Sequence, residues 1–156
     1  MSHSLKWFGS SSIILFVAMQ FVRPAKIHRP INESQTIAAV TRMPADTAAI
    51  LDRSCGNCHS ENTHWRWYSN AAPVSWLQMA DVGMAREAMN FSRWSNLTPA
   101  QQADRLKHIY ELVRSGDMPP WYYKPLHPNG WLSQGEVNRI CQWTQTEQQR
   151  LASIPK

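Results

Sequence analysis

Residues 51–65 read LDRSCGNCHSENTHW, and within them Cys55-Gly56-Asn57-Cys58-His59 sets two thiols three positions apart with an imidazole directly after the second. This C-x-x-C-H pattern is the attachment signature of a c-type haem. Each thiol can add to one vinyl group to give a thioether, and His59 is then presented to the iron as an axial ligand. Covalent linkage would retain the group in a domain too small to enclose it fully. Two other readings use the same residues. A thioredoxin-like dithiol wants a preceding strand and a βαβ setting, and neither is visible here. A structural zinc site needs four nitrogen or sulfur ligands. Cys55, Cys58 and His64 supply three, no second C-x-x-C follows, and Cys141 stands alone.

The rest of the chain bounds what such a motif can sit in. At 156 residues there is room for one ordinary domain. Hydrophobic residues make up 43%, which is enough for a packed core, and charged residues only 17%, which argues against a long solvated coiled coil. Three cysteines cannot build a disulfide framework. The formal charge of +5 comes from scattered basic residues. It suits an acidic partner and gives no basis for nucleic-acid binding.

Upstream, Trp7 to Val22 (WFGSSSIILFVAMQFV) carries no charge, and Arg23, Pro24 and Lys26 close the run. A bilayer span needs roughly 20 apolar residues, with ~17 as the lower end. No small-x-small cleavage pattern follows, so residues 1–23 read as an uncleaved membrane anchor rather than a removed signal segment. Arg23, Lys26 and Arg29 fall on the side that export would place outside, against the positive-inside tendency. Charge alone therefore leaves the orientation undecided. Residues 24–44 mix proline, polar and small residues without sustained periodicity and read as a tether. Residues 45–150 then form the domain.

Four helices are expected in it. The first, about Ala45 to Arg53, delivers the chain into Cys55. The second covers about Val74 to Met89, with Trp76, Leu77, Ala80 and Met84 near one face. The third has Thr98 as N-cap, Pro99 at the first helical position and Gln101 in the capping-box position. Leu106, Ile109, Tyr110 and Val113 follow helical spacing there, and Gly116 ends it. The fourth opens on a second capping box, Ser133 with Glu136, and runs through Val137, Ile140 and Trp143. No segment alternates as a strand, so the class is all-α. The connections at 60–72 and 117–131 are long and hold Trp65, Trp67, Tyr68, Trp121, Tyr122, Tyr123 and Trp131. Loops of that kind need something to pack on, and a large planar apolar cofactor would supply it.

For the iron's second axial position the first choice is Met118, which follows Gly116 and precedes Pro119-Pro120, residues that fix the backbone. Met/His ligation raises the reduction potential. His127, in Leu126-His127-Pro128, is the alternative and would lower it, and an empty sixth position is the third possibility. His64 lies too near His59 to cross the haem plane, and His108 reads as a surface residue of the third helix. Cys141 reads as a small buried hydrophobe.

Residues 51–76, with NFSRW at 90–94, GDMPPWYYKPLHP at 116–128 and QFVRPAK from Gln20, closely resemble the haem-binding domain family. Its members are small, exported, often membrane-anchored bacterial proteins with one c-type haem. The resemblance covers nearly the whole chain after the first dozen residues. It implies Cys55, Cys58 and His59 as attachment and ligand residues, Met118 as the second ligand, and a periplasmic domain. A more distant resemblance to mitochondrial-type cytochromes c implies that a proline carbonyl after the motif accepts the other ring N–H of the ligand histidine. Pro73, fourteen residues after His59, is the candidate. Arg66, Trp67 and Tyr122 are candidates to reach the haem propionates.

The expected protein is an all-α, small cytochrome c-like domain with long loops packed around one covalent haem, preceded by an N-terminal membrane helix. It would carry electrons in the periplasm at the inner membrane, exchanging them with a redox partner protein, without an enzymatic site of its own. A haem-based sensor or peroxidase-like protein with an exchangeable sixth ligand is the rival.

Overall fold

The computed structural model describes residues 3–153, and its regular elements are all helical among those residues. Helix α1 spans His3–Met19 and the short α2 spans Ile37–Val40. Helix α3 (Ala45–Leu51) runs through a wider π-type turn, Asp52–Gly56, into the single turn α4, Asn57–His59. Helices α5 (Val74–Ala88), α6 (Pro99–Ser115) and α7 (Gln134–Ala152) complete the set.

The last two helices are placed by the signals visible in the sequence. Thr98 and Gln101 form a reciprocal capping box at α6, as Ser133 and Glu136 do at α7. Each satisfies two N–H groups that helix geometry leaves without partners. Gly116 stops α6 in a left-handed conformation, φ 81°, which costs glycine least because it lacks a Cβ. Helices α6 and α7 pack on each other along most of their length. Leu106, Ile109 and Val113 meet Ile140 and Trp143 there, and Trp94 and Phe91 close one side. Arg53 donates to Glu136 at 2.7 Å, tying the π-turn to the start of α7.

Three expectations need correction. The N-terminal run is helical, but α1 has 17 residues, about 26 Å at 1.5 Å per residue, against a hydrocarbon core of about 30 Å. No helix among the described residues is long and apolar enough to cross a membrane. Nor are residues 24–44 a loose tether. Ile37 is part of the core, with Val40 and Met43 packed against it, so the folded body starts well before Ala45. Upstream, the Gln20 side-chain amide exchanges hydrogen bonds with the Ala72 backbone (3.0 and 3.2 Å), and the Trp76 indole donates to the Val22 carbonyl at 2.7 Å.

The third correction concerns α5. Leu77 and Met84 are 55% and 60% exposed, while the residues it buries are Ser75 and Val82. Of the expected stripe only Met84 faces an open cleft, and Trp76, Leu77 and Ala80 lie outside its lining.

Candidate functional site

That cleft, about 300 Å³, is walled by α3, α4, α5, the end of α6 and the loop that follows. Cys55, Cys58, His59 and Met118 all line it. From α5 come Asp81, Met84, Ala85 and Ala88, at the i, i+3, i+4, i+7 spacing of one helical face. This row is offset from the face expected as core and shares only Met84 with it. Most of the remaining wall is aliphatic or aromatic, including Leu51, Ile109, Leu112 and Val113.

His59 is held in one tautomer. Its Nδ1 lies 3.1 Å from the Met89 carbonyl oxygen, which can only accept, so Nδ1 carries the hydrogen and Nε2 keeps its lone pair. Phe91 stacks beside the ring, centroids 5.3 Å apart and planes 22° from parallel. Burial lowers the pKa of His59 despite the opposing pull of the Met89 and Ala85 carbonyls, so the ring stays neutral, as a ligand must be. The acceptor expected at Pro73 is not used. Fourteen residues of separation said nothing about which carbonyl the fold would bring to the ring, and the end of α5 brings that of Met89.

Both motif thiols are raised by burial, Cys55 to about 12 and Cys58 to about 11. A redox dithiol needs a low-pKa thiolate in an electropositive setting, and these two sit in an apolar one. The zinc reading also lacks its set: among the described residues no three His, Cys, Asp or Glu side chains are grouped to hold a metal ion. Asn57, between the two cysteines, fastens the motif to its surroundings. Its Nδ2 donates to the Tyr123 hydroxyl at 2.9 Å, its Oδ1 accepts from the His64 N–H at 3.1 Å, and its carbonyl accepts from Thr63 Oγ1 at 2.7 Å.

Met118 is set by the stop of α6. Beyond Gly116 the chain turns back so that the Met118 N–H donates to the Leu112 carbonyl at 3.1 Å. Met84 and Met89 share the cleft with it, a placement that spacing could not reveal. Both belong to the α5 side, whereas Met118 comes from the loop.

His127 lies elsewhere. It is 7% exposed and absent from the cleft lining. Its Nδ1 donates to the Tyr123 carbonyl at 2.9 Å, so Nε2 is free to accept from the Tyr68 hydroxyl, 2.7 Å away. The ring also stacks on Tyr123 at 3.6 Å. With both nitrogens engaged it is a structural residue.

The aromatic loops are divided in the same way. Of the seven loop aromatics, Tyr122 and Tyr123 line the cleft, while Trp67 and Trp121 are both 79% exposed. Trp67 and Arg66 do not line the cleft, but Tyr122 does, paired with Asp81. Cys141 is half-buried, with its Sγ 4.0 Å from the Tyr110 carbonyl between α6 and α7.

An apolar cleft in a small helical domain, holding two un-ionised thiols, a neutral imidazole with a free lone pair and a thioether, fits an iron porphyrin by the chemistry of its donors. The fold and site thus define a haem-binding helical domain. Residues 14–146 match the family described as Haem-binding domain, and the chain belongs to it. Comparison with curated proteins and with solved structures gives no match.

Proposed function

We propose that the domain carries one haem attached covalently through Cys55 and Cys58, with His59 and Met118 as axial ligands, and that it acts as a monohaem c-type electron carrier. The observation that carries this reading is the convergence of those four side chains on one apolar cleft. When bound, the haem supplies a one-electron ferric/ferrous couple.

The chain's own residues do the rest. The Met89 carbonyl fixes the His59 ring and raises its basicity as a ligand. The turn after Gly116 sets Met118, so both side chains that would hold the group are placed by the fold itself. The aliphatic walls exclude water and lower the local dielectric, a recognised lever on haem potential.

The domain works on the periplasmic side of the inner membrane, held at the surface by the exposed apolar residues of α1, and exchanges electrons with a redox partner protein. Trp7, Phe8, Ile13 and Ile14 of α1 all stand clear of the folded body, which supports contact with lipid.

The test is the absorption spectrum of full-length protein matured with a cytochrome c assembly system, together with acid–acetone extraction. A sharp low-spin reduced spectrum, a weak far-red ferric band from iron–sulfur bonding, and haem that stays with the protein are expected. Cys58→Ala should keep one thioether and shift the pyridine haemochrome band. A high-spin spectrum with rapid carbon monoxide binding would overturn the carrier reading in favour of a sensor or peroxidase. Extractable haem would overturn covalent attachment, and stoichiometric zinc without haem would overturn both.

A further inference from the structure

Two residues beyond His59 lies a buried carboxylate that the site described so far does not use. The Glu61 side chain is 1% exposed. Arg86 approaches it at 3.0 Å, Arg93 at 3.3 Å and Arg29 at 3.9 Å. Asn90 Nδ2 donates to its Oε1 at 2.9 Å, and its own backbone N–H donates to Ser92 Oγ at 3.0 Å. A buried charge is costly unless paired and hydrogen-bonded, and here the pairing reaches three separate parts of the fold.

These partners share a consequence. Arg86, in the last turn of α5, also donates to the Ser60 carbonyl and to Thr63 Oγ1, both at 2.9 Å. It thereby clamps the segment that leaves the C-x-x-C-H motif. Asn90 caps the turn Phe91–Asn96, accepting from the Ser92 N–H at 3.0 Å. The peptide group joining Met89 to Asn90 owns the carbonyl that accepts from His59 Nδ1. The residue after Asn90 is Phe91, which stacks on the His59 ring. Holding Asn90 by its side chain therefore fixes both the carbonyl and the ring that orient His59.

We propose that Glu61 is a positioning residue for the axial histidine: by gripping Asn90 and Arg86 together it sets the Met89 carbonyl on His59 Nδ1 and so tunes the donor strength of Nε2. The proposal rests on the reading of His59 as an iron ligand. Outer-shell partners of a ligating histidine fix its orientation and raise its basicity, and their loss costs about 10–100-fold in metal affinity or activity. A weaker donor disfavours the ferric state relative to the ferrous one, so the reduction potential should rise when the grip is lost. A tenfold change in relative ligand affinity corresponds to about 59 mV for a one-electron couple.

The experiment uses the full matured protein and three substitutions. Glu61→Ala removes the whole grip. Asn90→Ala removes the link to the Met89 peptide group while leaving the Arg86 pair. Glu61→Gln keeps an acceptor for Asn90 but gives up the charge. Ile140→Val, in the core away from the cleft, controls for lost stability alone.

The readouts are the reduction potential and the ferric low-spin electron paramagnetic resonance g values, which report ligand-plane orientation. Upward potential shifts and altered g values are expected in Glu61→Ala and Asn90→Ala, a smaller change in Glu61→Gln, and none in Ile140→Val. Unchanged potentials and g values with a lowered Tm would overturn the proposal. If Glu61→Ala does not accumulate, Asn90→Ala and Glu61→Gln decide the question by the same criteria. A wild-type spectrum without histidine ligation would instead sink the underlying reading, and the two failures are distinct.

Discussion

Replacing His127 tests whether the second histidine of the site region is a ligand or a strut. The ring makes two hydrogen bonds, to the Tyr123 carbonyl at 2.9 Å and from the Tyr68 hydroxyl at 2.7 Å, and stacks on Tyr123. Buried hydrogen bonds contribute about 0.5–1.5 kcal/mol net, and an orphaned buried partner costs about 1–3 kcal/mol. Aromatic stacking adds about 0.5–1.5 kcal/mol. His127→Ala should therefore lose about 3–5 kcal/mol. Tyr68→Phe, which strands only Nε2, should lose about 1–3 kcal/mol. Urea unfolding reads both, and a loss of about 2 kcal/mol lowers the midpoint by roughly 1 M at a slope of about 2 kcal/mol/M.

The same residue has a pH signature. Burial lowers the pKa of His127 below its ordinary 6.5, so the fold prefers the neutral ring. Its contribution is complete above 6.5 and declines as pH falls from 6.5 toward the lowered folded value, because there the unfolded chain takes up a proton that the fold resists. This slope should be missing from His127→Ala. Throughout, the haem absorption spectrum should stay low-spin and unchanged. A variant of undiminished stability whose spectrum turns high-spin would refute the assignment and make His127 the ligand.

Met118→Leu should abolish the far-red ferric band and open the sixth position to carbon monoxide, whereas Met84→Leu, on the exposed edge of the same cleft, should leave the spectrum intact. Ile140→Ala, at a position with no exposure, should cost about 2–5 kcal/mol by calorimetry or urea titration, from lost burial and the cavity left behind. Ser133→Ala, which breaks the capping box of α7, should cost about 1 kcal/mol without touching the potential.

Local grammar made part of this protein legible. Thr98 and Ser133 start α6 and α7 because a side-chain oxygen three residues ahead of an orphan N–H can satisfy it wherever the helix lies. The C-x-x-C-H motif is equally local, since its chemistry is carried by five adjacent residues. Hydrophobic spacing was only half informative. It marked an apolar face on α5, where Leu77 and Met84 stand exposed, because periodicity shows that a face is apolar without showing what will cover it. The segment 24–44 lacked periodicity, yet Ile37 enters the core, since a single turn of helix is too short to leave a period.

The sequence by itself determined the helical class, the two capped helices and the C-x-x-C-H motif, and it offered Met118 and His127 as rival candidates for a further donor, all from neighbours along the chain. Only the tertiary structure decided which partners those side chains keep. Met89 rather than Pro73 holds His59, and Tyr68 with Tyr123 takes His127 out of contention. Hydrogen bonds act over about 3 Å in space, and spacing along a chain does not fix which distant carbonyl or hydroxyl packing will bring within that reach.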